Sequence, residues 1–510
     1  MFHSNSKELL IIGKGVAGTF DFSEGAFSKE ADNPIGIICR NDEIVFVGSV
    51  QAAKNLVKKP YEVIDHSNEY VLPGFIDSHT HCFASMKYEN NLDVSFASGI
   101  ETKKELLYKI HEALKMKKSG ELLIAVGFDE GMTNDNEYPT RKELDEIAPN
   151  NPIQILHRTG HASILNSLAL NLCKINESFD ELQGSYLSRN IQSGALDGYI
   201  IGLNGYIDKY LLNEYLTDMN ELMANWLRSQ LSQGITTLVN ANYDAEMEDW
   251  LFFKKILEVD KSLPNLVVME STQSINNDRF PVSELNGKII RGHTKIILNE
   301  FDTFTDEDYA DFHATISNCY KENRKIALHL TTQNSMNFIL NFIEKNKNIN
   351  IDRFEHAPII TNDQIKKIIN YDISIVAQPS LLYEANKKYH RAINPESINN
   401  FHPWKNVLDL GGHLAFSSDS PISRSSPLES IAYASVDRPL NMNIEQRVAT
   451  LDAIKAWTLT AAQVNHLAKK GYIRKGFIAD LIFLNEDPLL FPSQTDVVKT
   501  IIAGQVVYSS

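Results

Sequence analysis

The stretch VLPGFIDSHTH at residues 71–81 decides the fold of this 510-residue chain. It begins as an apolar run typical of a buried strand and ends with His79 and His81, two positions apart. Side chains at positions i and i+2 of a strand point the same way, so the two imidazoles can bind one ion together. An isolated pair of this kind is more often fortuitous than a ligand pair. Its meaning therefore depends on the rest of the chain.

Seven further strand-like runs follow downstream, separated by stretches with a helical pattern. Such alternation indicates βα units with parallel strands. Together with the first run they make eight, the number that closes a (β/α)8 barrel. The seven runs are GITTLVNA, NLVVMES, TKIILNE, KIALHL, RFEHAP, ISIVAQP and HLAFSSD.

Two more strand-like runs, LLIAVGFD and PIQILHRT, lie between the first barrel run and the second. They exceed the count of eight, so we assign most of residues 90–200 to an insertion. The pattern alone leaves open whether one of the two runs is a barrel strand instead.

The two ends of the chain share a pattern of short β-type runs and turn residues. Because chain termini often lie close together, we predict that residues 1–72 and 470–510 form one discontinuous β-domain around a barrel at residues 73–469. An early GxGxxG pattern at Gly13, Gly15 and Gly18 is typical of dinucleotide binding. That motif needs a helix directly after it, whereas the following residues have loop or hairpin character. We therefore predict a bend between two strands.

Metal-competent side chains stand at the ends of the barrel runs, and those ends converge on one face of a barrel. Lys295 and His329 are 34 residues apart, His329 and His356 are 27 apart, and His356 and Asp419 are 63 apart. These spacings fit one, one and two βα units of about 30 residues each. The sequence therefore predicts a metal site at the carboxyl ends of the strands.

The sequence resembles the amidohydrolase superfamily, and within it the YtcJ-like group that includes N-substituted formamide deformylases. The resemblance covers nearly the whole chain and is strongest in four motifs. It implies an α/β fold, namely a distorted (β/α)8 TIM barrel with a small β-sandwich domain built from both chain termini. The four motifs are VLPGFIDSHTH, GHASILNS, RFEHAP and AFSSDSPIS.

The resemblance also implies a set of metal ligands. The first histidine pair would bind the more buried of two divalent ions, a carboxylated Lys295 would bridge the ions, and the later histidines would bind the second. The implied ligands are His79, His81, Lys295, His329, His356 and Asp419.

For three residues, Lys295, His161 and Glu355, the sequence also allows a simpler structural role. Lys295 as an ordinary lysine would instead form a surface ion pair, with Glu300 or Asp302 as partner. His161 resembles a substrate-contacting position, and its alternative is a loop histidine bonded to the backbone. Glu355 is interpreted as a residue that orients His356 or as a strand cap.

The reaction implied by the resemblance is hydrolysis of a carbon–nitrogen bond, in an amide or N-formyl amide, by a metal-activated hydroxide. Asp419 would act as general base and then general acid. One or two divalent ions are the expected cofactor, with zinc the expected metal among those that histidine and carboxylate accept. Two alternatives stay open: a mononuclear deaminase or cyclic-amide hydrolase on the same fold, and a metal-free barrel that acts as a binding protein.

Composition narrows the partners and the compartment. A net charge of −16 argues against nucleic acid and anionic membranes, so we expect a small-molecule substrate. Four scattered cysteines without CxxC spacing indicate neither a disulfide framework nor a thiolate zinc site. The N-terminal residues lack a signal-peptide pattern, and we expect a cytoplasmic protein. The resemblance implies a homodimer.

Overall fold

The computed structural model describes residues 8–23, 34–181, 185–215, 219–272, 279–298 and 303–510. Their strands form three sheets: a parallel barrel sheet, a six-stranded sheet from the region of the predicted insertion, and a seven-stranded sheet from both ends of the chain. The predicted fold class is confirmed.

The barrel sheet contains eight parallel strands that follow one another in chain order. Each overlaps one of the eight runs predicted from the sequence, and β15 begins five residues before its run. The first and last strands contact each other, which brings the sheet close to closure. A two-residue strand, β14 (Ser283–Glu284), pairs with the fourth barrel strand from outside. The barrel strands are β5 (Phe75–Thr80), β12 (Ile235–Asn240), β13 (Asn265–Glu270), β15 (Ile289–Ile297), β16 (Ile326–Leu330), β17 (Arg353–His356), β18 (Ser374–Ala377) and β19 (Leu414–Phe416).

Two apolar layers hold the barrel together. Small and branched side chains fill its lower interior, where Ile76, Val239 and Ala327 pack together with Ala461 of a late helix. Larger side chains lie between the strands and the outer helices. The described helices are α1 (Val50–Leu56), α2 (Cys82–Glu89), α3 (Lys103–Leu114), α4 (Arg141–Ile147), α5 (Ser167–Leu172), α6 (Asn204–Tyr215), α7 (Met219–Ser232), α8 (Met247–Val259), α9 (Asp306–Lys321), α10 (Gln333–Lys345), α11 (Asn362–Asn370), α12 (Pro379–Glu384), α13 (Asn386–Ala392), α14 (Trp404–Asp409), α15 (Pro427–Ala434), α16 (Thr450–Trp457) and α17 (Leu459–Val464).

The six-stranded sheet accommodates both of the surplus runs. LLIAVGFD contributes β7 (Leu123–Phe128) and PIQILHRT contributes β8 (Ile153–His157), so neither run is a barrel strand. Apolar clusters cover this sheet separately from the barrel core. Its strands are β6 (Leu92–Asp93), β7 (Leu123–Phe128), β8 (Ile153–His157), β9 (Ala162–Leu165), β10 (Tyr186–Arg189) and β11 (Leu196–Ile201).

The seven-stranded sheet joins strands from both ends of the chain, with β4 (Tyr61–Pro73) next to β20 (Leu481–Leu484). On the basis of the three sheets, we propose a discontinuous β-domain at residues 1–72 and 470–510 and a barrel domain at residues 73–469. The strands are β1 (Glu8–Gly15), β2 (Ile35–Arg40), β3 (Glu43–Ser49), β4 (Tyr61–Pro73), β20 (Leu481–Leu484), β21 (Val497–Ile502) and β22 (Gln505–Ser509).

The early glycine pattern has a packing explanation in this sheet. Gly13 and Gly15 lie in β1, and residues 16–23 contain no helix. A Cβ atom on Gly13 would lie 2.9 Å from Phe483 Cε1, and one on Gly15 would lie 2.6 Å from Phe20 Cε1. The glycines therefore allow close packing of aromatic rings against the strand.

Two further features bear on the compositional analysis. The four cysteines are free and buried. Among the described helices, none combines the length and the apolar character needed to cross a membrane.

Candidate metal centre

The first barrel strand delivers His79 and His81 to the carboxyl end of the barrel with the help of a bulge. Ser78 faces inward, because its hydroxyl accepts a hydrogen bond from Asn465. Strict alternation would then turn His79 outward. Instead, β5 contains one more residue than β12 between the pairs at Asp77 and Thr80. Such a bulge changes the direction of the side chains beside it.

Asp419 reaches the two histidines from the loop after β19. Its Oδ1 lies 3.4 Å from His79 Nε2 and 3.2 Å from His81 Nε2. The backbones are also cross-linked, because Asp419 N donates to His79 O at 2.8 Å and His81 N donates to Ser420 O at 2.9 Å. Asp419 has a φ of 54°, a left-handed conformation that aspartate tolerates better than most residues.

The tautomers of the histidines suit metal ligation. His79 Nδ1 donates to Glu355 Oε2 at 2.6 Å, His81 Nδ1 donates to Asn242 Oδ1 at 2.8 Å, and His356 Nδ1 donates to Gln378 Oε1 at 2.9 Å. A neutral imidazole that donates from Nδ1 keeps a lone pair on Nε2. Each ring therefore has its lone pair on Nε2, the atom suited to bind a metal, and in His356 this atom also lies 3.0 Å from His329 Nδ1.

The electrostatics of the group also fit a cation. Burial lowers the pKa of His79 to about 4, and Lys295 adds to the shift, so the ring is neutral. Burial opposes ionisation of Asp419, but the surrounding imidazoles more than offset it and hold its pKa below the usual range. Asp419 Oδ1 is buried and has no hydrogen-bond partner in the described part of the chain. A buried carboxylate oxygen of this kind is costly unless a cation or a proton meets it.

His329 and His356 form a second pair at the ends of β16 and β17. His356 Nε2 lies 3.0 Å from His329 Nδ1, and the ring of His356 is 5.0 Å from that of His79 between centroids. His356 has a φ of 67°, so the chain turns directly at this residue. The two histidine pairs and Asp419 thus lie in one cluster.

Lys295 is inside the barrel beside His79. Its side chain is buried, and its Nζ lies 3.5 Å from His79 Nε2. Burial lowers the pKa of Lys295 to about 8, which increases the fraction of neutral amine, the form that reacts with carbon dioxide. A surface ion pair does not describe this lysine, and Glu300 and Asp302 lie outside the described residues.

Glu355 has a different partner from the one expected. It bonds His79 rather than His356, and its other oxygen accepts from Arg353 Nε at 2.7 Å. Both Arg353 and Glu355 are fully buried. Arg353 also donates to Asn465 Oδ1 at 2.7 Å and to Ser78 O at 2.9 Å, so a buried polar column supports His79 from below.

Sequence reasoning missed Asn242 and Gln378 as partners of the histidines. Asn242 follows β12 and Gln378 follows β18, so the available signal was a polar side chain at a strand end. Asp77 accepts from Ser418 Oγ at 2.6 Å and from the backbone of Ser418 and His79. It therefore ties the loop after β19 to β5.

His161 lies apart from these contacts, at the start of β9 in the six-stranded sheet. Its side chain is exposed, and its carbonyl accepts from Gly202 N at 2.8 Å. The sheet does reach the Asp419 loop elsewhere, because Arg158 donates to Ile422 O at 3.1 Å. A cavity of about 900 Å³ borders Arg158 and Ser420 without touching the predicted ligands.

Comparison with known proteins gives one consistent result. A model of the Amidohydrolase family matches residues 62–508. The N-substituted formamide deformylase of Arthrobacter pascens is 23% identical over 520 residues, which cover 92% of this chain and 94% of that protein. The protein YtcJ of Bacillus subtilis is 22% identical and covers 94% of this chain and 97% of its own length. An uncharacterized metal-dependent hydrolase from Pyrococcus horikoshii covers 95% of this chain and 98% of its own, with a TM-score of 0.72 at 19% identity.

Proposed function

The chain belongs to the amidohydrolase family and groups with YtcJ within it, and on that premise we propose that it hydrolyses the carbon–nitrogen bond of an amide or N-formyl amide. Membership of the family makes it a metal-dependent hydrolase, while the bond and the mechanism are our proposal. One observation carries it: His79 and His81 direct Nε2 lone pairs at an oxygen of Asp419 that has no hydrogen-bond partner among the described residues.

The predicted ligands divide into two sets, one for each of two metal positions. His79, His81 and Asp419 would hold the first divalent ion, and we propose zinc, which favours nitrogen and carboxylate ligands in a small tetrahedral set. The second position would use His329, His356 and a carboxylated Lys295, in keeping with the sequence resemblance. A bound cation would lower the pKa of a coordinated water and polarise the substrate carbonyl.

The chain itself supplies proton transfer and orientation. Asp419 accepts the proton of the attacking water on its carboxylate and then delivers it to the nitrogen of the leaving amine. Its ionised state suits the first step, and its bonds through the backbone to β5 hold the carboxylate in reach. The hydrogen bond from His79 to Glu355 fixes the orientation of that imidazole during both steps.

One observation favours a second candidate, a mononuclear deaminase or cyclic-amide hydrolase. Within the described chain, His79, His81 and Asp419 form a three-ligand group, whereas His329 and His356 approach each other directly. A single ion at the first position needs no carboxylated lysine. Counting metal ions per chain separates the two candidates, and so does testing whether bicarbonate restores activity after metal removal and reloading.

A substrate screen with a matched pair of variants tests the proposal. Metal-loaded protein is assayed with N-formyl amines, N-acyl amino acids, cyclic imides and esters. We expect turnover of an amide or N-formyl amide. Asp419→Asn should lower kcat by about 10²–10⁴-fold while most of the metal stays bound. Asp372→Asn is the control, because Asp372 has a similar φ of 55° but is exposed at the surface.

Three results would contradict the proposal. Turnover restricted to cyclic imides would favour the second candidate, and turnover restricted to esters would exclude the proposed bond. An Asp419→Asn enzyme as active as Asp372→Asn would remove Asp419 from proton transfer.

A further inference from the structure

A second group of ligand-type side chains lies at the opposite end of the barrel. His293, Asp352 and His466 each present one nitrogen or oxygen within 4.8 Å of the others, and His466 Nε2 is 3.9 Å from Asp352 Oδ1. The rings of His293 and His466 are 5.3 Å apart between centroids. The three residues belong to three separate segments of the chain.

Topology places this group at the amino ends of the strands. Asp352 directly precedes β17 and accepts from the backbone of Ile326, the first residue of β16, at 2.7 Å. His293 in β15 lies one residue before the position that pairs with Ile326. His466 follows α17, whose apolar side chains fill the bottom of the barrel. Asp352 precedes His356 by four residues, or about 13 Å of strand.

Among the described residues, His293 lacks the hydrogen-bond partner that its burial requires. Its side chain is only 1% exposed, and neither ring nitrogen has a hydrogen-bond partner in the described part of the chain. A buried polar group left without a partner pays the cost of its lost hydration without compensation. One of its nitrogens belongs to the group that converges with Asp352 and His466, so a ligand placed there would bind it.

Two cations act on this group, since Arg353 and Lys325 both add to the effect of burial in lowering the pKa of His293 and His466, and the carboxylate of Asp352 has to offset them when a cation binds. Arg353 is fully buried and is already paired with Glu355 at 2.7 Å. Lys325 acts on Asp352 through space and is the group's natural competitor for that carboxylate, yet the two form no ion pair within the described residues. His466 is 43% exposed on its side chain, which leaves a route to solvent.

We propose that His293, Asp352 and His466 bind one divalent cation, with zinc as the probe, at a structural site distinct from the catalytic group. Ligand atoms about 2.1 Å from zinc in a tetrahedral arrangement are about 3.4 Å apart, so the three side chains need to close by roughly 1 Å. Water takes the remaining position. The ion fastens β15, the segment before β17 and the end of α17 to one another.

The test measures zinc in the full-length protein after dialysis against zinc buffered by a weak chelator. His466→Asn removes the exposed ligand and suits the left-handed φ of 56° at this position. His413→Asn is the control, because His413 is also exposed and faces one carboxylate, Asp372, at 4.0 Å. We expect His466→Asn to hold one zinc fewer per chain than the wild type, and His413→Asn to hold the same number.

A second variant and a second readout keep the result independent of folding and of catalysis. Asp352→Asn retains an oxygen for the backbone of Ile326 and should also lose one zinc. Micromolar zinc should raise the thermal midpoint of the wild type by more than that of His466→Asn, since a cation that binds only the folded state stabilises it. Equal zinc content in the wild type, His466→Asn and Asp352→Asn would overturn the proposal and leave a bound water as the partner of His293.

Discussion

Glu355→Gln tests whether a residue that contacts no substrate controls the metal centre through His79. The carboxylate of Glu355 can only accept, so it fixes the proton of His79 on Nδ1 and leaves Nε2 free. Glutamine keeps the shape, but its oxygen is needed by Arg353 Nε, now at 2.7 Å from Glu355. Its amide would then donate toward His79 Nδ1 and favour the proton on Nε2.

Two magnitudes follow from these contacts. Loss of the partner that orients a histidine ligand typically weakens metal binding 10–100-fold, or about 1.4–2.7 kcal/mol. Removal of one member of a fully buried ion pair costs about 3–5 kcal/mol of stability, and we expect the lower end because glutamine still accepts from Arg353. The first effect should appear in metal affinity and the second in the unfolding midpoint.

The assay combines a chelator competition for zinc with a denaturant titration. Glu344→Gln is the control, because Glu344 forms an exposed ion pair with Lys367, and its loss should change stability by less than about 0.5 kcal/mol. Glu355→Asp, which restores the charge, should recover part of the zinc affinity. Zinc affinity in Glu355→Gln equal to that in Glu344→Gln would refute the role of the Glu355 contact.

Three further outcomes are expected. Lys295→Met removes the nitrogen that would be carboxylated, and the zinc content should fall by one ion per chain; an unchanged content would exclude a bridging lysine. Chelation by phenanthroline should abolish hydrolysis and zinc should restore it, whereas activity that survives complete metal removal, checked by elemental analysis, would rule out the metal-dependent mechanism. Asp129→Asn weakens the bonds of a buried carboxylate to Arg158 and Lys388. Limited proteolysis should then cut residues 90–200 faster, while the zinc content stays constant. Equal cleavage rates would show that this contact does not hold the six-stranded sheet to the barrel.

The barrel was predictable because the sequence pattern of each strand is local and recurs along the chain. Each strand is a short apolar run, and six ligand-type side chains stand at run ends, where topology forces convergence. The surplus runs could not be sorted by the same rule. LLIAVGFD has the pattern of a barrel strand, and its place in another sheet depends on its pairing with PIQILHRT, which periodicity does not encode.

The contacts that tune the site were harder to predict than the site itself. Glu355 precedes His356 in sequence, which suggested that it orients its neighbour. In a strand, however, adjacent side chains point to opposite faces, and the left-handed turn at His356 is what brings both residues to the cluster. The true partner, His79, is 276 positions away. The sequence motifs therefore predict the ligands. The residues that hydrogen-bond to those ligands are set by the bulge in β5 and by the turns at the strand ends, which the motifs do not reveal.

Arg353 connects the histidine cluster to the base of the barrel. Its guanidinium bonds Glu355 above, and Asn465 and Ser78 O below, and Asn465 is the residue before His466. The proton position on His79 therefore depends on a fully buried cation that is itself held by the segment after α17. An ion bound by His466 would fix that segment, so the proposed structural site would stabilise the support of the catalytic histidine without entering its chemistry. Loss of zinc from His466→Asn should accordingly lower the thermal midpoint and leave KM unchanged, because no substrate contact is altered; a selective rise in KM would contradict this separation.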